Sequence, residues 1–312
     1  MPLHEKPLIQ RIRQAARARA KGDSGIGDDC AVLKLPRGHE ALITTDFSLE
    51  SVHFRREWHP ADSVGHRCLA RGLSDIAAMG GVPHAAFLSL ALPAELPQSW
   101  VDSFVAGLLK LATRFAVRLA GGDTAQSPDG VLADIVVLGS VPAGQAVLRS
   151  GARPGHHIYV TGDLGSSVAT LDQLREGRKL SPRSHPKHFY PEPRIAVGRY
   201  LREKKLASAM IDISDGLSTD LGHICDESKT GAIIRADALP VAAPRDGLKL
   251  ALHGGEEYEL LFTAPPNRRV PKRIAGVPIT FIGKITGGRQ MKLLLPDGAT
   301  EALEPGGWQH FA

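Results

Sequence analysis

Four segments of the chain each deliver an aspartate beside glycine or a small hydroxyl residue: Gly27-Asp28-Asp29, Thr44-Thr45-Asp46, Gly121-Gly122-Asp123-Thr124 and Ile211-Asp212-Ile213-Ser214-Asp215-Gly216. Asp75 joins them from within Leu73-Ser74-Asp75-Ile76. Any one of these could be a turn or a helix cap, since Asp-Gly and Ser-Asp are common in both. Their accumulation points to cation chemistry instead. Carboxylate and hydroxyl oxygens are hard donors suited to Mg2+, Mn2+ or Ca2+, whereas the imidazole and thiolate groups that zinc prefers are not clustered. No EF-hand spacing is present, and magnesium commonly reaches proteins together with phosphates, so converging aspartates imply a polyphosphate ligand.

The familiar ways of holding ATP are absent. There is no Gly-x-x-x-x-Gly-Lys-Ser/Thr loop, no Gly-x-Gly-x-x-Gly loop and no His-Arg-Asp catalytic loop. A different nucleotide fold is required. Gly-x-Ser-x-Gly and His-Glu-x-x-His are missing too, which lowers the prior for a serine hydrolase or a zinc peptidase.

The elements that must position the aspartates follow from periodicity. Leu8, Ile9, Ile12 and Ala16 predict an amphipathic helix over 5–20, followed by a loop from Gly22 to Cys30. A strand over 41–45 ends in Asp46, a helix over 61–79 carries Asp75 and stops at Gly80-Gly81, and a strand covers 85–92. A helix over 99–115 leads to a strand ending at Gly121-Gly122-Asp123, and a strand over 132–141 closes this half. The glycine- and proline-containing stretch from Gly144 to Gly155 is the expected junction, giving domains 1–146 and 147–312. Beyond it the pattern predicts strands at 157–161, 209–213 and 232–235 and near Glu259, Thr280 and Met291, with helices at 166–176 and 194–204 and another ending near Ser228. A polar, proline-rich loop occupies 177–193. Helices and strands intermingle throughout, so the fold class is α/β, of mixed α+β character, in two domains.

With 312 residues, 43% of them apolar, the chain can bury two cores. No apolar core follows Met1 and no run of about 18 uncharged apolar residues occurs, so no membrane partner is expected. Cys30, Cys68 and Cys225 form no CxxC pair, which fits a reducing, cytoplasmic setting. The net charge of +5 is spread without a basic run interleaved with aromatics, so nucleic acid is not an expected partner.

Taken in order, the motifs resemble the thiamine-monophosphate kinase family, in the superfamily that also holds aminoimidazole ribonucleotide synthetase, selenophosphate synthetase and a hydrogenase-maturation protein. The resemblance spans nearly the whole chain. Besides the aspartate segments it includes Val52-His53-Phe54, Arg149-Ser150-Gly151-Ala152, Leu217, and Gly254-Gly255-Glu256-Glu257-Tyr258-Glu259-Leu260. It implies a two-domain chain whose N-terminal halves pair their sheets across a homodimer, and transfer of the terminal phosphoryl group of ATP to thiamine monophosphate. By motif, Asp29, Thr44, Thr45, Asp46, Asp75, Asp123, Asp212 and Asp215 would hold several Mg2+ ions. Gly122, Asp123, Arg149 and Ser214 would meet ATP, and His53, Glu257 and Trp308 the acceptor. Two departures stand out: the family often has a tyrosine before Gly-Gly-Asp where the nearest aromatic here is Phe115, and Glu257 replaces the family's usual aspartate.

Such a reaction needs positioning and charge neutralisation more than a base. The second pKa of a phosphate monoester is about 6, so near neutral pH the attacking oxygen is already largely ionised. His53 is therefore expected to bind rather than to catalyse. Without the resemblance, His53 reads equally as a strand histidine, Arg149 as a junction cap and Trp308 as an aromatic plug. The competing functions are an aminoimidazole ribonucleotide synthetase-like enzyme and a non-catalytic nucleotide-binding protein.

Overall fold

The computed structural model describes residues 5–18, 26, 30–242 and 246–309. It divides into two compact units: Met1–Ile76, Val82–Gly144 and Phe189–Pro191 form the first, and Ala77–Gly81, Gln145–His188 and Glu192–Ala312 the second. Helices and strands mix in both, as the α/β, mixed α+β reading requires.

The first unit opens with α1 (Glu5–Arg17) and continues through β1 (His39–Leu49), α2 (Ala61–Ala78), β2 (Val82–Pro93), α3 (Gln98–Arg114), β3 (Arg118–Ser127) and β4 (Leu132–Pro142). Its four strands lie in the order β1-β4-β2-β3, antiparallel except for the parallel β2–β3 pair. Along β4, Ala133, Ile135 and Val137 are buried while Asp134, Val136 and Leu138 between them are only half-buried, the period-two signature of a sheet covered on one face. In α3, Val101, Phe104, Val105, Leu108, Leu109 and Ala112 recur at helical spacing and are buried.

Two expected boundaries move. The strand containing Thr44-Thr45-Asp46 runs on to Leu49, so Asp46 sits mid-strand. Gly121-Gly122-Asp123 lies within β3 rather than at its end. Glycine read as a strand terminator because it lacks a packing side chain, yet here its bareness is what admits the strand: a Cβ on Gly122, at φ +148°, would overlap the Leu88 carbonyl oxygen of β2.

The second unit holds β5 (His157–Thr161), α4 (Ser166–Arg175), α5 (Pro186–Phe189, whose last residue falls in the first unit), α6 (Ile195–Glu203), β6 (Ala209–Asp212), α7 (Leu217–Ser228), β7 (Gly231–Arg235), α8 (Gly247–His253), β8 (Leu260–Ala264), β9 (Arg273–Ile274), β10 (Val277–Thr286), β11 (Met291–Leu294) and β12 (Thr300–Ala302). Its sheet runs β12-β11-β7-β10-β5-β8-β6, with β9 paired to β10. Ile158, Val160, Ile211, Ile213, Leu217, Leu221, Ile234 and Leu261 are among the side chains of its core. The loop expected at 177–193 contains the single turn of α5, and α8, β9 and β12 were not foreseen. Among the described residues, no helix is long and apolar enough to cross a membrane.

Candidate active site

In the first unit, strand alternation sorts the Thr-Thr-Asp motif onto two faces. Thr44, Asp46 and the buried Ser48 share one side of β1, and the more exposed Ile43, Thr45 and Phe47 share the other. On the first side the Thr44 hydroxyl donates to the Asp75 carboxylate of α2, which brings together two of the expected cation ligands. Asp46 Oδ2 is buried. The same neighbourhood contains Cys68, fully enclosed, whose thiol is pushed up to about 12, chiefly by burial, with smaller upward contributions from the charges of Asp46 and Asp134. Cys68 is thus a packing residue, inert as a nucleophile.

On the other side the Thr45 hydroxyl donates to Asp134 Oδ1 at 2.7 Å. Asp134 pairs with Ser89, which pairs with Asp123, so one row across β4, β2 and β3 carries both carboxylates. Asp123 is exposed and accepts the N–H of Thr124 at 2.8 Å. Asp134 was missed in the sequence because a lone aspartate in an alternating apolar strand reads as an outward solubilising residue. Asp29 lies outside the described residues.

His53 follows β1 in a tight turn, and its own N–H donates to the Leu49 carbonyl at 2.9 Å. Its Nδ1 accepts the Leu49 N–H at 3.0 Å. A nitrogen that accepts carries no proton, so the ring's hydrogen sits on Nε2. Phe115, at the position where the family often has tyrosine nearby, closes the C-terminus of α3.

In the second unit, the turn between β6 and α7 is shaped by an acidic residue the motif reading passed over. Asp220 is 1% exposed, and its Oδ2 accepts the N–H groups of Ser214, Asp215 and Gly216 at 3.2, 3.2 and 3.1 Å. Its carboxyl is nevertheless pushed up to about 8, first by burial and then by the charges of Asp212 and Asp215. Oxygens of Asp215 and Asp220 and a ring nitrogen of His223 lie within 4.8 Å of one another. Two carboxylates this close, offering hard oxygen donors, have the chemistry that suits a divalent cation. The available signal for Asp220 was an acid in the first turn of a helix, where it meets unsatisfied N–H groups.

The Gly254–Leu260 segment is laced to this turn: Glu256 N–H donates to the Ser214 carbonyl at 2.7 Å, Tyr258 N–H to Ile213 at 2.9 Å and Ile213 N–H to Glu259 at 2.7 Å. Glu257 is turned onto the N-terminus of α4. Its Oε1 accepts the N–H groups of Gly165 and Ser167, both at 3.0 Å, and its carboxyl is pushed up to about 7, chiefly by burial. Glu259, 1% exposed, takes both arms of the Arg194 guanidinium and the Thr161 hydroxyl at 2.5 Å. Arg149 is exposed, and its carbonyl accepts from Ser228 Oγ at 2.8 Å. Trp308 is 48% exposed and donates its backbone N–H to the Asp215 carbonyl at 2.9 Å.

The AIR synthase related protein N-terminal domain matches residues 27–141, and the C-terminal domain of the same family matches residues 153–295. A thiamine-monophosphate kinase of Salmonella typhimurium is 39% identical, over 100% of this chain and 99% of its own. The crystal structure of thiamine-monophosphate kinase from Stenotrophomonas maltophilia K279a superposes with a TM-score of 0.81 at 35% identity, covering 96% of this chain and 98% of that one. AaThiL complexed with AMPPCP and TMP superposes with a TM-score of 0.79 at 29% identity, covering 99% of each chain.

Proposed function

The chain belongs to the AIR synthase related family and, within it, to the thiamine-monophosphate kinases, and on that premise we propose that this phosphotransferase uses ATP and Mg2+ to convert thiamine monophosphate to thiamine diphosphate. The observation that supports the reading is the closeness of Asp215 and Asp220, with the charge of Asp212 acting on Asp220, at the β6–α7 turn, where hard oxygen donors suit a divalent cation. A solved relative described with AMPPCP and TMP supports the choice of donor and acceptor.

The proposed cation ligands are Asp29, Thr44, Thr45, Asp46, Asp75 and Asp123 of the N-terminal domain (1–146) and Asp212 and Asp215 of the C-terminal domain (147–312). Bound Mg2+ would neutralise phosphate oxygens and hold the reacting atoms in line. The chain's own residues do the rest. Gly122, bare of a side chain, lets backbone approach ATP, and Asp123, Arg149 and Ser214 complete that contact. His53 is the proposed contact to the acceptor phosphate, whose attacking oxygen is already ionised and needs no base. Trp308 presents its ring to the thiazolium cation. Glu257, turned onto the first turn of α4, acts on it through charge when ionised.

The homodimer is proposed from the first unit's sheet. Ile43 is 71% and Phe47 55% exposed on a face that continues through Val136, Leu138 and Phe87 in register, beside the polar row of Asp134, Ser89 and Asp123, and exposed apolar side chains of this kind suit a second copy of the same surface. Free Cys30, Cys68 and Cys225 fit the cytoplasmic setting proposed for the enzyme.

The test is incubation of the purified protein with ATP, Mg2+ and thiamine monophosphate. Thiamine diphosphate and ADP should appear in equal amounts. ATP binding or ADP release without thiamine diphosphate would sink the reading. Sedimentation of the wild type against Ile43→Asp tests the dimer, which the charge should break.

A further inference from the structure

Three consecutive backbone amides near the C-terminus are tied to the start of α7. Gly306 N–H donates to Ser218 Oγ at 3.2 Å, Gly307 N–H to Thr219 Oγ1 at 3.1 Å and Trp308 N–H to the Asp215 carbonyl at 2.9 Å. The glycines are needed for this fit. A Cβ on Gly307 would overlap the Asp215 carbonyl oxygen and lie 2.8 Å from Thr219 Oγ1, and one on Gly306 would lie 2.7 Å from the His253 ring. Ser218 Oγ also bonds His253 Nδ1 at 2.9 Å, which joins α8 to the same knot, and Pro305 packs against Gly222 one turn further along α7.

The arrangement fixes the direction in which the Trp308 side chain leaves the surface. Holding the backbone at three successive points fixes the Cα–Cβ direction of this half-exposed indole, so a ligand that stacks on the ring has only its side-chain torsions left to order. The anchor is also the turn that carries Asp212 and Asp215. The acceptor-facing ring and the cation-facing carboxylates therefore share one short piece of backbone.

We infer that Thr219, with Gly307, is a positioning residue for acceptor recognition: its hydroxyl sets the path of the Gly306-Gly307-Trp308 strap and so places the Trp308 ring for the thiazolium of the substrate. The inference rests on the proposed kinase reading only in naming that ligand. It assigns acceptor specificity to a hydroxyl that touches no substrate atom. A strap that merely sealed the core would contribute to stability and would not distinguish donor from acceptor.

The experiment compares wild type with Thr219→Val, Thr219→Ser and Gly307→Ala. Steady-state kinetics should show the KM for thiamine monophosphate raised about 5- to 10-fold in Thr219→Val, the loss of one good hydrogen bond, with the KM for ATP within about twofold. Thr219→Ser keeps the acceptor oxygen and should restore the wild-type value. Gly307→Ala should resemble or exceed Thr219→Val. The independent readout is the emission of Trp308, taken as the difference from the Trp308→Phe protein, without substrates and during titration with thiamine monophosphate alone. Thr219→Val should shift that emission and weaken the titration, and Thr219→Ser should do neither. An unshifted Trp308 spectrum in Thr219→Val, or equal rises in both KM values, would overturn the inference. If the wild type forms no thiamine diphosphate the kinase reading fails by itself, and the spectrum of the unliganded variants still decides the positioning role.

Discussion

The Thr44 hydroxyl on β1 donates to the Asp75 carboxylate on α2, joining two residues 31 positions apart. The bond crosses from the sheet to the helix that covers it, and both ends are proposed cation ligands. It orients the Asp75 carboxylate by engaging one of its oxygens.

Thr44→Val keeps the shape of the side chain and removes the donor. The expected outcome is a small loss of stability, about 1 kcal/mol, because both groups are only half-buried. Turnover should fall about 10- to 100-fold, with the Mg2+ concentration for half-maximal activity rising in parallel. Thr44→Ser should behave as wild type. Magnesium titrations of the three proteins, with thermal melting alongside, separate a cation role from a packing role.

What could be read from the sequence follows from how local each cause is. The strand His157–Thr161 matches its expected range, and α4, α6 and α7 come within a residue or two, because alternation and helical period are local signals. Mid-strand Gly121-Gly122 was misplaced because the reason for those glycines, the neighbouring Leu88 carbonyl and Phe87 ring, lies on another strand. α8 is a seven-residue helix with only Ala251 and Leu252 buried, too short to show a period. At the candidate site the motif aspartates stood out by their glycine and hydroxyl neighbours. Asp134 and Asp220 did not, since each acquires meaning only from a partner brought close by folding: Thr45 for one, the 214–216 amides for the other.

Asp220 separates loop architecture from cation binding. Asp220→Ala strands three N–H groups and should destabilise the second unit by about 2 to 4 kcal/mol, seen as a lower melting temperature. Asp220→Asn retains an acceptor oxygen and cannot ionise beside Asp212 and Asp215, whereas the wild-type carboxyl must lose its proton to meet a cation. It should melt at or above the wild-type temperature without Mg2+, yet gain less than wild type when Mg2+ is added. Equal Mg2+-induced stabilisation in wild type and Asp220→Asn would remove Asp220 from the cation environment.

Arg194 and Glu259 form a paired charge in a nearly dry setting, with Glu259 further held by Thr161. Breaking such a pair from one side costs more than deleting it, because the remaining charge stays buried. Arg194→Met should destabilise by about 3 to 5 kcal/mol, and the double change Arg194→Met with Glu259→Gln by clearly less. Denaturant unfolding of the two singles and the double gives the coupling directly. Additive costs would mean that the guanidinium and carboxylate do not depend on each other.

Glu257 makes a prediction in pH. Burial raises its carboxyl from 4.5 to about 7 in the folded chain, even though the Gly165 and Ser167 amides pull it down and Lys187 favours the charged form. Between those values the folded state binds more protons at this group than the unfolded state does. Stability from Glu257 is therefore fully present below pH 4.5 and is lost as pH rises through 7, by up to about 3 kcal/mol. Glu257→Gln keeps an oxygen to accept the α4 amides and cannot ionise. Its melting temperature, compared with wild type, should move in the variant's favour as pH rises from 5 to 8. Parallel curves across that range would show that the carboxyl titrates at its ordinary value, and that the first turn of α4 holds it as a carboxylate throughout.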